Sequence, residues 1–364
     1  MRICSSGLSV FVALFFLSCE QQSVTPAVSS GTSDPFQWQS SSLQAQQVDS
    51  VLIDSALAKF SADQQMFGFV LIRNGLLVTE YYHPLLKPYN ECELRSATKS
   101  YVSALVGIAL AQGLIDSLDQ PMISFFPEFN SPALDPRTRS ITVRHLLTMR
   151  AGIDYSDGDP LHIPYTQSDH WVQKTIHLPL KYSPGEKFYY SSVQTHLLSA
   201  IIAKQSGMST RDFGKKYLFE PGRIQIGHWD QDPQGIYFGG SGLSMTPRAM
   251  ARFGEIIRQH GKAELSTVIP EEWIHRSIKP NNLLNSIWGE FRSLNYGFSW
   301  WMNGSGPDSI FFAAGSGGQF IIIAPQKNAV IVTTANPNLS QSVIDRQEER
   351  IIQIITRYVL PALR

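Results

Sequence analysis

The segment "ELRSATKSYVSALVGIALAQG", residues 93–113, constrains the fold more than any other. Wound at 3.6 residues per turn, Val102, Ala104, Leu105, Val106, Ile108, Ala109 and Leu110 cover every side, so this helix must be enclosed rather than laid on a surface. A chain of 364 residues, 43% of them hydrophobic, is long enough to bury such a helix in one large domain or two smaller ones. Lys99, one turn from the start of the apolar run, is therefore predicted to point into the interior or to its edge.

The first residues lie outside that fold. Arg2 precedes an apolar run from Leu8 to Leu17, about half the length needed to span a bilayer. Residues 1–19 read as an export signal. The ending on Ser18 and Cys19 resembles a bacterial lipoprotein signal, in which the cysteine carries lipid and becomes the mature N-terminus. The expectation is an exported protein, held to a membrane through that anchor and facing the periplasm or cell exterior, with plain secretion or an uncleaved anchor as the alternatives. Residues 20–47, rich in Ser and Gln, read as a flexible tether. Once Cys4 leaves with the signal and Cys19 is lipidated, Cys92 is the one remaining thiol, so no internal disulfide is expected.

The folded domain is predicted over 48–364. Leu52, Ala56 and Phe60 recur at helical spacing, and "FGFVLIRNGLLVTEYYH" sets two β-rich runs around Asn74-Gly75, a strong hairpin signal. Helical patterns and loops dominate from 96 to about 287. Strand patterns return in "YGFSWWMN", "FFAAGSGGQFIIIAP" and "NAVIVTTAN", followed by a closing helix from about Ser342 to Leu360. This order predicts an α+β fold, an α/β sandwich. One antiparallel sheet is built from both chain ends (about 48–95 and 288–364) and flanked by helices, with a mostly helical insertion at about 96–287.

Ser96 and Lys99 are three residues apart, so at the start of a helix they share a face. A serine hydroxyl becomes a nucleophile when a base stands beside it, and a lysine amine acts as base only when desolvated. The helix N-terminus would also direct free N–H groups at a developing oxyanion. Taken alone, the pair fits better an N-capping serine followed by a lysine whose stem snorkels. It is the one S-x-x-K in the chain.

With that motif the sequence resembles the serine β-lactamase and penicillin-binding-protein superfamily. The resemblance is closest to the class C β-lactamase branch with its related esterases and 6-aminohexanoate-dimer hydrolases. It runs through "SATKSYVSALVGIALAQGLIDSLDQPMISFFPE", "ITVRHLLTMRAGIDY", "SPGEKFYYSSVQTHLLSAIIAKQSG", "GGSGLSMTPRAMARFG" and "YGFSWW" in order. It implies Ser96 as nucleophile and Lys99 as base. The second motif, Y-x-N after a Pro-Gly turn, falls on Tyr190, Ser191 and Ser192, with Tyr190 as proton carrier and Ser192 in place of the usual asparagine. Tyr101 and Tyr189 also match Y-x-S, but the position after Pro184-Gly185 selects Tyr190. The third motif, normally K-T-G or H-x-G, falls on Ala313, Ala314 and Gly315. By analogy the N–H groups of Ser316 and Ser96 form the oxyanion hole, and Gly315, Gly317 and Gly318 let substrate approach the backbone, although Gly317 and Gly318 also fit a plain glycine-rich turn.

Other features carry less. Among nine histidines none stands three or four residues from another, and there is no H-E-x-x-H, so neither metal nor cofactor is expected. Absence of G-x-S-x-G removes the nucleophile elbow of α/β-hydrolases. His145 is expected to be structural and Cys92 small and buried. Trp300, Trp301, Phe311 and Phe312 read as core, with one or two reaching the pocket. A formal net charge of zero gives no reason to expect nucleic acid, and the partner expected is a small molecule. The leading function is a serine hydrolase working through an acyl-enzyme on small esters or amides. A β-lactamase or D-alanyl-D-alanine peptidase is the alternative, needing a cation for the substrate carboxylate that Arg292 or Arg248 would have to supply. A non-catalytic binding or sensor protein is the third reading.

Overall fold

The computed structural model describes residues 35–158, 167–284, 286–304 and 309–364; Cys19 and the signal segment lie outside them. Among the described residues the main sheet has eight strands, all paired antiparallel where their register is defined. They are β1 (Met66–Arg73), β2 (Leu76–Tyr82), β3 (Asn282–Leu283), β4 (Leu294–Tyr296), β5 (Trp301–Asn303), β6 (Ile310–Gly315), β7 (Gln319–Ala324) and β8 (Ala329–Ala335). Their spatial order is β2-β1-β8-β7-β6-β5-β4-β3, so the N-terminal hairpin pairs with the last strand of the chain. The expected α+β class and the sheet built from both chain ends are what the fold has. The edge starts slightly earlier than predicted, because β3 at Asn282–Leu283 already pairs with β4.

The β1–β2 turn is Asn74-Gly75, with φ of 51° and 80°. Two left-handed residues twist the connection the way paired strands twist, which is why Asn-Gly is favoured there.

The strands read as almost continuous apolar runs because both faces of the sheet are covered. On β7, Ile321 and Ile323 join one core while Phe320 and Ile322 join another; on β8 Val330 and Val332 oppose Ala329 and Ile331 in the same way. The period of two sends alternate residues to opposite layers. One layer contains α1 (Ser50–Ser61) and the closing helix α5 (Gln341–Ile354). The buried stripe of α1 is Ile53, Ala56 and Phe60, with Leu52 only half-buried at its margin, a one-residue shift from the periodicity expected.

The other layer holds α2 (Thr98–Ala111), α3 (Ser192–Ser206) and α4 (Pro247–Arg258). Every residue of α2 from Thr98 to Ala109 is buried, as its apolar circumference requires. Its polar residues are spent on neighbouring backbone: Ser100 Oγ donates to Ser299 O at 2.6 Å and Ser103 Oγ to Phe298 O at 2.7 Å. These bonds fix the rotation of α2 against the chain just before β5, since a buried hydroxyl must find a partner. Among the described residues no helix is long and apolar enough to cross a membrane.

Candidate active site

Ser96 sits in a single 3-10 turn, Arg95–Ala97, that leads straight into α2. The turn is held on two sides. Leu94 N donates to Leu243 O at 2.7 Å, and Thr98 Oγ1 donates to Arg95 O at 2.7 Å. Arg95 itself has φ of +48°, a left-handed conformation that a side-chain-bearing residue adopts at a cost. The end of β6 braces the turn from the sheet side: a Cβ on Gly315 would lie 2.0 Å from Leu94 O. Only glycine fits, which accounts physically for the glycine of the third motif.

Lys99 is 1% exposed. Its Nζ lies 2.9 Å from Ser96 Oγ, 2.8 Å from Ser192 Oγ and 2.7 Å from Gly240 O. All three N–H donors of the ammonium thus have acceptors. Removing the proton facing Ser96 reverses that one bond, so that the serine hydroxyl donates to nitrogen, the arrangement needed to activate it. Its three partners are neutral, and one of them, Ser192, is in turn hydrogen-bonded to a carboxylate.

That carboxylate belongs to Asp157. Its Oδ2 accepts from Ser192 Oγ at 2.7 Å, and its two oxygens accept from Ser192 N at 3.1 and 3.2 Å. Ser192, the first residue of α3, links Lys99 on one side to Asp157 on the other. The sequence reading gave Asp157 no role. It lies in the loop segment "DYSDG", 35 positions before Ser192, and no local spacing joins the two.

Gly240 was also missed as a site residue, although its "GGSG" surroundings were noted. A Cβ on Gly240 would stand 2.5 Å from Ser192 Cβ, and one on Gly239 would stand 2.2 Å from Thr195 O. The paired glycines let this loop lie flat on the first turn of α3, bringing the Gly240 carbonyl to Lys99. A glycine pair was the available signal, but its partner was not.

Tyr190 is positioned by the Pro-Gly turn before it. Gly185, at φ +84°, donates its N–H to Arg150 O at 2.8 Å, and Tyr189 N donates to Met149 O at 2.8 Å. Buried Gln194 then ties the strand-like segment to α3, accepting from Ala151 N at 3.0 Å and donating to Tyr189 O at 2.8 Å. The Tyr190 ring stands with Lys99 Nζ 4.8 Å from its centroid and packs on Trp301 at 5.7 Å. The ammonium therefore faces the ring, and the tyrosine hydroxyl is not among its three hydrogen-bond partners. Trp301 is the half-buried member of the predicted aromatic group, while Trp300, Phe311 and Phe312 are core.

Ser316 follows β6 at the tip of the β6–β7 hairpin, with Gly317 and Gly318 both at φ +93°. This turn is buttressed from α5. Glu348, buried, accepts from Gly317 N at 2.7 Å, and Gln347 donates to the carbonyls of Gly317 and Asn336. Burial pushes the Glu348 carboxyl up to about 7, with the Gly317 N–H opposing the shift and the charge of Asp345 adding to it.

His145 forms a capping box with Thr142 and packs under Gly185, a structural role. Cys92 is buried, and burial pushes its thiol up to about 12. Arg248 is engaged by Glu80 at 2.9 Å through Nε, and Arg292 is exposed. The cation beside the third motif is instead Arg95, whose Nη2 donates to Asn338 Oδ1 at 2.6 Å and whose Nε lies 3.3 Å from Glu93.

A model of the β-lactamase family matches residues 53–353. The chain is 25% identical over 290 residues to the 6-aminohexanoate-dimer hydrolase of Paenarthrobacter ureafaciens, a match covering 73% of this chain and 71% of that one. It is also 25% identical over 172 residues to esterase EstB of Burkholderia gladioli, covering 39% of this chain and 43% of the esterase. Among solved structures it resembles EstCE1, a hydrolase with promiscuous acyltransferase activity, with a TM-score of 0.69 at 17% identity, covering 86% of this chain and 99% of the other. At that identity the likeness concerns the fold.

Proposed function

The chain belongs to the β-lactamase family and is a hydrolase of the serine β-lactamase superfamily, and we propose that it works through an acyl-enzyme on Ser96 with small esters or uncharged amides as substrates. The observation that carries this reading is the buried amine of Lys99, 2.9 Å from Ser96 Oγ. In the proposed course Ser96 Oγ attacks the substrate carbonyl carbon while its proton passes to Lys99. The N–H groups of Ser96 and Ser316 receive the oxyanion. Collapse breaks the bond to the leaving alcohol or amine, which takes the proton back from Lys99 by way of Tyr190. Water then attacks the acyl-enzyme and gives a proton to the same amine; collapse breaks the acyl bond to Ser96 Oγ, which takes that proton back from Lys99, releasing the acid and restoring Ser96 and the neutral amine.

Charge supports esters or neutral amides over β-lactams. Ala313 and Ala314 occupy the strand positions where the family's basic residue would stand, and Arg248 is held by Glu80. An anionic substrate forgoes a charge-assisted hydrogen bond of roughly 1.5–3 kcal/mol, about ten- to a hundredfold in affinity. Arg95 favours the second reading, a β-lactamase or D-alanyl-D-alanine peptidase, but its guanidinium is already shared between Glu93 and Asn338.

The test is labelling by a fluorophosphonate, followed by peptide mapping and comparison of p-nitrophenyl acetate and butyrate with nitrocefin. Label on Ser96, its loss in Ser96→Ala, and a kcat/KM for the better ester at least about a hundredfold above nitrocefin are expected. A higher kcat/KM for nitrocefin transfers the assignment to the β-lactamase reading.

For the N-terminus we propose export and lipid anchoring at Cys19, supported by the short apolar run ending at Ser18-Cys19 and the polar tether after it. Detergent-phase partitioning of the full-length protein should be lost in Cys19→Ala; partitioning that survives the substitution rejects the anchor.

A further inference from the structure

Fifteen residues separate His260 from His275, too far for any local metal-binding pattern, yet the fold sets their rings edge to edge. His275 Nε2 lies 3.2 Å from His260 Nδ1, and Glu271 Oε1 lies 3.9 Å from the same His275 nitrogen. One donor atom from each of the three side chains falls within 4.8 Å of the other two. The ring planes cross at 84°. Zinc–nitrogen bonds of about 2.0–2.1 Å put neighbouring ligands of a tetrahedral ion roughly 3.3–3.4 Å apart. The histidine nitrogens stand close to that separation, and the carboxylate reaches it by a small rotation of an exposed side chain.

The ligands come from two rigid pieces of backbone. His260 follows α4 at φ +54°, and its turn is fixed by His260 N donating to Ile257 O at 3.1 Å and Gly261 N to Ile256 O at 2.8 Å. Gly261 O in turn accepts from Val268 N at 2.8 Å and Ile269 N at 3.1 Å, and a Cβ on Gly261 would lie 1.9 Å from Ile269 O. Glu271 and His275 are one turn apart on the helix Glu271–Ser277, whose other face is seated by buried Trp273 and Ile274. All three side chains are exposed, so metal and solvent have access.

We propose that His260, Glu271 and His275 bind a divalent cation of the zinc class, with solvent completing its coordination. Two imidazoles and one carboxylate suit late first-row ions over calcium or magnesium, which take oxygen ligands. Without metal the facing nitrogens share a single proton; with metal both present lone pairs to the ion, so binding competes with protonation and weakens in acid. The ion would clamp the end of α4 to the Glu271–Ser277 helix. That helix also touches the helix carrying Lys99, because the Trp273 ring occupies the space where a Cβ on Gly107 would be. This proposal is independent of the assignment of Ser96.

The test uses full-length protein without an affinity tag, stripped with EDTA and exchanged into chelator-free buffer. Zn²⁺ is titrated by calorimetry at pH 7.5 and at pH 5.5, and Co²⁺ is followed by its visible spectrum. One equivalent is expected to bind at pH 7.5, raise Tm and weaken at pH 5.5. Outer-shell changes at metal sites already cost about 10–100-fold in affinity, so His260→Ala and His275→Ala should each lose at least about tenfold, and Glu271→Gln should weaken binding and alter the Co²⁺ spectrum. Circular dichroism checks that the variants fold. No binding by the parent protein, or equal binding by either histidine variant, overturns the proposal.

Discussion

Gly315 and Leu94 meet so closely that a Cβ on the glycine would lie 2.0 Å from the Leu94 carbonyl oxygen. This contact joins the sheet to the turn that presents Ser96, one residue beyond the strained Arg95. Gly315→Ala is expected to push that turn off its position. A misplacement of about 1 Å at a reacting group can cost on the order of a hundredfold in rate, and overpacking costs about 1–3 kcal/mol in stability. Measured together, kcat should fall by about a hundredfold while the protein remains folded by circular dichroism with a lowered Tm. Parental kcat would show that the turn tolerates the displacement.

Lys99 and Tyr190 separate by conservative substitution. Arginine keeps the charge of Lys99 but holds its proton at neutral pH, so Lys99→Arg should lose nearly as much activity as Lys99→Ala. Tyr190→Phe keeps the ring that faces Lys99 and removes only the hydroxyl. A loss of roughly a hundredfold or more in kcat is expected if that hydroxyl carries the leaving-group proton. Near-parental rates in both variants would place the base elsewhere.

Asp157 contacts Ser192, which contacts Lys99, so an influence on catalysis exerted through Ser192 is testable in its variants. The carboxylate receives both the N–H and the hydroxyl of Ser192, which in turn accepts from Lys99. Hydrogen bonds to charged groups contribute about 1.5–3 kcal/mol. Asp157→Ala is expected to lower kcat at least about tenfold with a smaller change in KM. Asp157→Asn, which keeps an acceptor oxygen, should lose less. Equal kcat in all three proteins would leave Asp157 a surface residue.

Glu348 predicts a pH dependence of stability. Its carboxyl is pushed from the ordinary 4.5 up to about 7 by burial, so the folded state favours the neutral form. Such a group stabilises the fold fully below about 4.5, and the contribution is lost as pH rises through about 7, on the order of 3 kcal/mol over the window. Glu348→Gln keeps a carbonyl acceptor for Gly317 and cannot ionise. Its stability relative to the parent, measured by urea unfolding at pH 5 and pH 8, should be higher at pH 8 than at pH 5. A difference that does not change between the two would contradict the buried-acid assignment.

Local patterns were enough for some of these conclusions. The apolar circumference of residues 102–110 demanded an enclosed helix, the Asn74-Gly75 pair demanded a hairpin, and a serine three residues before a lysine put two side chains on one helix face. Each follows from chain geometry within a few residues. The strand patterns at the C-terminal end likewise announced β6, β7 and β8, while the burial of both their faces is seen in the two cores they join.

Tertiary structure decided what lay between distant segments. The sequence could place Ser192 after a Pro-Gly turn, but not Asp157 beneath it or the Gly240 carbonyl above it, because those contacts join loops whose separation depends on how α2, α3 and the sheet pack. Arg248 and Arg95 show the same limit: one is consumed by Glu80 and the other lies beside the third motif, though the sequence pointed to Arg248 and Arg292. His260 and His275 share no period and meet only because α4 and the next helix end side by side. Periodicity fixes which face a residue occupies; which partner meets that face is set by close packing of the whole core.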